Sequence, residues 1–395
     1  MKMKTMSKSL PIVAILALSS SAYGQEKERE KTVEEVLITT GRSKSRTVLS
    51  SPVPIDNVSA AQLKATGQTS FDKALTFAIP SFNSTQQTVT DATAHFDPAD
   101  LRGLGPSRTL VLINGKRKNQ SALIYVNDTP GKGEVGSDMK SIPSAAMQNV
   151  EVLRDGASAQ YGSDAIAGVI NVILKNNVSK GALNLFSGVT SKGDGFNYGA
   201  DFNTGLKIAE KGSLNITVGL SHQNKTNRAG SPGKDDLFGV DDAWTRAHPT
   251  VGMSVGQPIM PPGRSFLNLE LPTSELGKFY TFGGTTIRKG TSYALYRTPY
   301  WIPTDYGLLT PSGEAYNGFQ PEFLTEVYDH NFTSGWKGKL GQWKLDGSAT
   351  YGASIVNYEV GNTINTSLGA NSPTKFKAGG HQFSNIIGNI DLSRD

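Results

Sequence analysis

The chain has 395 residues, with 39 Lys and Arg against 34 Asp and Glu, 43 glycines and no cysteine. That length exceeds one ordinary domain, so two are expected. The missing cysteine excludes disulfides and thiolate metal sites. With a mean hydropathy of −0.31 and no apolar run of about 18 residues, no transmembrane helix is encoded. At the N-terminus Lys2, Lys4 and Lys8 precede the short apolar run Leu10 to Leu18 and then small residues, with Ala22 and Gly24 where a signal peptidase reads. This predicts a signal peptide over 1–24, cut between Gly24 and Gln25. An amphipathic first helix fits poorly, because the run has no polar face. Cleavage removes three lysines and no acid, so the net charge of +5 becomes +2. Lys116, Arg117 and Lys118 read as one short basic tip rather than a patch, so no nucleic-acid partner is expected.

Residues 25–41 form a charged lead ending in TVEEVLITTG, an alternating β-branched segment. It reads either as a free extended strand or as the first strand of the domain that follows. Pro52 to Val58 is extended. Ser59 caps a helix through Ala65, and Thr69-Ser70 caps another with Phe71, Leu75 and Ile79 at helical spacing. Ser81 to Asp100 is polar, with an exposed Phe96. Thr109 to Ile113 is a strand ending in the turn pair Asn114-Gly115. Pro143-Ser144 opens a short helix AAMQN, with Ser144 as N-cap. Val150 to Leu153 is a second strand, stopped at Asp155-Gly156, and Ala165 to Leu174 is a third, with Gly168 where a side chain would crowd the fold. Gly131, Gly133 and Gly136 spell a dinucleotide fingerprint. SDMKSIPS follows and cannot start a long helix, so the stretch is a loop.

The motifs LRG at 101–103, VEVLRDGASAQYG at 150–162 and AIAGVINVILK at 165–175 occur in one order. Together they resemble the plug domain of TonB-dependent outer-membrane receptors, which import scarce solutes through a barrel closed by that plug. The resemblance implies a plug over 42–178 and a TonB box at Glu35, Val36, Leu37, Ile38 and Thr39, captured by strand addition. Leu101, Gly103, Gly156, Tyr161 and Gly162 belong to the plug motifs. Arg102 and Arg154 would latch the plug by forked contacts to wall carboxylates. The implied partners are TonB with its inner-membrane energising complex, an extracellular small solute and outer-membrane lipid. The loop 81–100 would face the solute, and no cofactor is implied. About ten residues separate Gln25 from the box, too few for a further folded domain between them.

From Gly181 the texture changes to long alternating strands, predicted near 181–190, 196–207, 212–225, 264–272, 278–296, 325–340, 342–360 and 382–394. Phe196, Tyr198, Ala200, Phe202, Thr204 and Leu206 share one face, with Asn197, Gly199, Asp201, Asn203 and Gly205 on the other. A sandwich strand shows the same period. Strand length, with the leader and the plug resemblance, points to an outer-membrane wall with apolar residues facing lipid. Eight strands leave no room for a plug of more than a hundred residues, and the family's barrel has about twenty-two. The expected fold is therefore a signal peptide, then an α+β plug inside a transmembrane antiparallel β-barrel, of which residues 179–395 are the N-terminal part.

Chemistry of other kinds finds little footing. His95, His222, His248, His330 and His381 are scattered, without i, i+4 pairing or HExxH. Asp235, Asp236, Asp241 and Asp242 lack EF-hand spacing. The sequence predicts a non-enzymatic importer, with an iron–siderophore complex as first expectation. Oligosaccharide, cobalamin or another metal chelate would suit the same mechanism. A passive porin or adhesin is the competing class, and would need neither box nor plug.

Overall fold

The computed structural model describes residues 37–38, 46–47, 54–84, 92–126, 131–154, 158–230, 243–248, 251–252, 254–274 and 276–394. The expected signal peptide with Gly24 and Gln25, the box residues Glu35, Val36 and Thr39, the motif residue Gly156 and the four loop aspartates lie outside them. Strand β1 (Leu37–Ile38) pairs antiparallel with β2 (Arg46–Thr47) in a two-residue ladder.

The plug begins with β3 (Ile55–Ser59) and α1 (Ala60–Ala65). Ser59 and Gln62 close a reciprocal capping box, the Gln62 amide donating to Ser59 Oγ at 3.3 Å and the Ser59 amide to Gln62 Oε1 at 2.9 Å. Helix α2 (Phe71–Ala78) follows, with Phe71, Leu75 and its C-cap Ile79 buried together. The two-residue strands β4 (Phe82–Asn83) and β5 (Asp100–Leu101) pair with each other. Next come β6 (Thr109–Ile113), β7 (Lys116–Arg117), β8 (Met147–Leu153), α3 (Ser158–Tyr161) and β9 (Gly168–Leu174). The sheet order is β3-β8-β9-β6-β7, and only β6 and β9 run parallel.

Every residue of TLVLI is buried because β6 is covered on both faces, the usual reason for an unbroken apolar strand. Val111 and Ile113 join the cluster containing Leu75, Ile79 and Leu101, whereas Leu110 and Leu112 pack with Ala165 and Val169 on the reverse. Gly168 sits at φ +142, where a Cβ would stand 2.4 Å from the Leu153 carbonyl and 2.9 Å from Leu101.

Two local expectations change. AAMQN is no helix: Ser144–Ala146 makes a single 3₁₀ turn with Pro143 at the cap position, and Ser144 makes no side-chain cap bond. Met147 already belongs to β8, because Met147 and Val150 gain a paired, fully buried place opposite Leu174 and Val172. The third strand starts at Gly168 rather than Ala165, after a 3₁₀ turn at Ser163–Ala165.

The wall is one antiparallel sheet of eight strands in chain order: β10 (Ser179–Gly188), β11 (Asn197–Ile208), β12 (Gly212–Gln223), β13 (Pro262–Ser274), β14 (Gly277–Tyr293), β15 (Glu322–Leu340), β16 (Trp343–Gly361) and β17 (Phe376–Arg394). Connections are short at one end (209–211, 275–276, 341–342) and longer at the other, the asymmetry of bacterial barrels, whose short turns are periplasmic. The pleat sorts the sequence by face. Leu183, Leu185, Phe202, Val218, Ile287, Phe332, Tyr351 and Ile386 are exposed outward, while Asn203, Asn215, Thr217, Thr286, Asp329, Asn331, Thr333 and Thr350 are buried on the inner face. Apolar outside and polar inside is the pattern of a strand wall in lipid.

Candidate functional site

The inner face of the wall carries the plug, and the contact between them is the candidate site. Phe266, Tyr280 and Phe282 of β13 and β14 enter the plug's own apolar cluster. Above them the contact turns ionic. Arg288 on β14 forms a forked pair with Asp138 of the plug, one arm at 3.1 Å from Nη1 to Oδ1, and both side chains are almost fully buried. Lys118 reaches Asp329 on β15, with Nζ 2.9 Å from Oδ1 and 3.1 Å from Oδ2. The Asn119 amide donates to the same carboxylate at 3.2 Å and accepts from Asn331 at 3.2 Å. Lys116 lies between Asp346 on β16 and Asp391 on β17, at 3.3 and 3.2 Å. Neutral bonds complete the seam: Thr286 Oγ1 to the Ser141 carbonyl at 2.7 Å, and the Ala122 amide to Ser354 Oγ at 3.0 Å.

Wall glycines make room for this approach. A Cβ on Gly352 would lie 2.5 Å from Asn119 Cβ, and one on Gly290 would lie 2.3 Å from the His95 ring. Burial holds the His95 imidazole down to about 3, with the Lys140 and Arg288 charges adding to the effect, so it sits in the interface neutral. Burial pushes the neighbouring Asp97 carboxyl up to about 7, opposed by Lys140, whose ammonium is 2.7 Å away.

The two arginines expected to latch the plug have their described contacts within the plug. Arg102, at φ +58, donates from Nη2 to the Ile166 and Ala167 carbonyls at 3.3 and 3.1 Å. Arg154 makes the forked contact its chemistry favours, but with Asp56 on the adjacent plug strand, at 3.0 and 3.1 Å. Neither meets a wall carboxylate among the described residues. Leu101 is buried in the core and Gly103 turns the chain at φ +68. The Tyr161-Gly162 turn offers the Tyr161 carbonyl to Arg117, which also pairs with Asp164. Leu37 and Ile38 lie in extended backbone opposite Thr47 and Arg46.

Lys116 and Lys118, read from sequence as part of a short basic tip, are buried and carry the contact to the wall. A signal for this existed: two lysines two residues apart beyond an Asn-Gly turn fall on one face of a strand, and Asp329 shares the inward parity of β15. Phe96 is likewise not exposed. It packs with Ala122, Leu123 and Tyr125 of the plug and Val327 and Val356 of the wall.

A plug domain seated by buried ion pairs against a polar-inside, apolar-outside strand wall defines a plugged outer-membrane barrel protein. Residues 47–169 match the family described as TonB-dependent Receptor Plug Domain. Residues 47–169 therefore carry the plug domain of TonB-dependent receptors, continued in this chain by part of an antiparallel barrel wall. A probable TonB-dependent siderophore receptor, PirA of Acinetobacter baumannii, is 30% identical over 133 residues, which are 33% of this chain and 17% of that one. The vitamin B12 transporter BtuB of Vibrio cholerae is 30% identical over 137 residues, 34% of this chain and 20% of the relative. A mutant of the ferric enterobactin receptor PfeA from Pseudomonas aeruginosa shares the fold, with a TM-score of 0.60 at 14% identity, over 90% of this chain and 47% of that one. The chain thus spans less than half the length of that receptor, and its sequence matches to the two curated relatives named take in 17% and 20% of their length.

Proposed function

We propose that the chain serves energised import: a solute binds the outward loops and plug apex, the plug shifts, and an inner-membrane motor acting through TonB draws on the segment around Leu37 and Ile38. No bond in the solute is broken, and the reading needs no enzymatic step. The observation that carries it is the character of the plug seat. Lys116, Lys118 and Arg288 meet wall or plug carboxylates through directional, charge-assisted contacts that water can replace as the seam opens. Such a seam favours a removable plug over a permanently fused core. The relatives named for siderophores make an iron–siderophore complex the first cargo to test, with cobalamin, other metal chelates and oligosaccharides next.

The test uses the receptor expressed from its complete gene. Strand addition depends on backbone donors and an extended conformation, so Ile38→Pro should abolish uptake and leave solute binding to whole cells nearly intact. Equal loss of binding would place this segment inside the folded plug and end its role as the motor's handle.

A further inference from the structure

A carboxyl close to the plug seat is buried without a hydrogen-bond donor. Asp72 follows Phe71 on the enclosed face of α2, is wholly buried, and neither of its carboxyl oxygens meets a donor. Within hydrogen-bond reach lies a second carboxyl, that of Asp97, which is just as enclosed. Two ionised carboxylates repel at that range with no water to screen them, whereas a single proton turns one into a donor for the other. Lys140 brings one ammonium, 2.7 Å from Asp97 Oδ2. The other charged groups facing the pair are Lys73 on α2, Asp138 of the plug, and Arg264 and Arg288 of the wall. Asp138 is engaged by Arg288, and Arg264 also faces Asp201 of β11. Two further titratable neighbours, His95 and Tyr125, are buried and neutral.

The wall controls this pair through the plug segment 138–141. Arg288 of β14 holds Asp138, Thr286 donates to the Ser141 carbonyl at 2.7 Å, and Arg264 Nε of β13 donates to the Lys140 carbonyl at 3.4 Å. The segment that carries Lys140 to Asp97 is thus tied to the wall at three points. Withdrawal of the plug frees it and lets water reach both carboxyls.

We propose that Asp72 and Asp97 form a proton-binding site of the plug seat, sharing one proton while the plug lies against β13 and β14 and releasing it to water when the seam opens. Only the O–H bond breaks, and both groups leave as carboxylates. Burial pushes Asp97 up to about 7, in keeping with a proton held near neutral pH. Because the seated state binds the proton more tightly, acid strengthens the seat, and that contribution is lost as pH rises through about 7. The proposal rests on the contact between plug and wall and not on import.

The test uses the receptor expressed from its complete gene, in detergent. Amide exchange over residues 71–79 and 138–142, corrected for its intrinsic pH dependence, reads opening of the seat. In the parent, opening should rise about a hundredfold from about pH 5 to about pH 8, since the open state holds its carboxyls at ordinary values. Asparagine copies the shape and donor of a protonated carboxyl, so Asp72→Asn and Asp97→Asn should each stay seated and lose this dependence. The infrared band of a buried protonated carboxyl should be present in the parent at about pH 6 and lost in both variants. Full pH dependence in Asp72→Asn would assign the proton to Asp97 alone and overturn the pair. A flat exchange profile in the parent would overturn it as well. So would a parent without the protonated-carboxyl band, its oxygens then being held by water or a cation. Solute uptake enters none of these readouts, so import and this site can fail separately.

Discussion

Removing the carboxylate of Asp329 should unseat one end of the plug. The Asp329 side chain is 4% exposed and that of its partner Lys118 is fully enclosed. Asp329→Ala leaves that ammonium buried without a counter-charge and deprives the Asn119 amide of its acceptor. Breaking a buried pair from one side costs about 3–5 kcal/mol. The lower end applies here, because the vacated space can admit water to the ammonium. At 1.4 kcal/mol per factor of ten, about 3 kcal/mol raises local opening roughly a hundredfold. Hydrogen exchange of the full-length receptor in detergent, read on peptides covering 109–126, measures that opening. Removing both charges with Lys118→Met/Asp329→Leu should restore most of the protection, since no unpaired charge is left behind. Exchange in Asp329→Ala within threefold of the parent would refute the reasoning and leave this ion pair without a part in holding the plug.

Two further expectations concern Asp97 at the interface and Arg154 within the plug. The Asp97 carboxyl, raised from 3.8 to about 7 by burial, binds its proton more tightly in the folded protein than in the unfolded one. Its contribution to stability is therefore complete below about pH 4 and is lost as pH rises through 7; Asp97→Asn should flatten the plug's stability over that window, and parallel denaturation profiles for variant and parent would contradict this. Arg154→Ala should remove no more than about 1 kcal/mol from the plug, because the Asp56 pair is partly exposed and solvent screens it. Permeability to large antibiotics should stay at the parent level, and a marked leak would return Arg154 to the seat.

The fold was legible where periodicity and burial agree. The alternation from residue 181 onward located all eight wall strands, because one face meets lipid and the other a polar lumen. TLVLI was legible as a strand because both of its faces are covered. AAMQN misled because short-range cap chemistry at Pro143-Ser144 favours a helix, while pairing of Met147 and Val150 with β9, far along the chain, decides for a strand. The seat of the plug was hidden for a similar reason. Lys118 and Asp329 are 211 residues apart, so the basic tip looks solvated until the wall is folded around it. Arg102 and Arg154 had the right chemistry for a latch, but a carbonyl pair and Asp56 lie closer than any wall carboxylate among the described residues.

The central claim is that solute passes only when the plug moves against the wall. Residues 1–395 contain no cysteine, so an engineered pair supplies the only thiols of the plug and this part of the wall. Ala122 and Ser354 touch across the seam, amide to hydroxyl, at 3.0 Å. In the full-length receptor, Ala122→Cys/Ser354→Cys should transport normally when reduced, lose energised uptake when oxidised while still binding solute, and recover on reduction. Uptake at the parent rate with the disulfide formed in nearly every molecule would contradict the account.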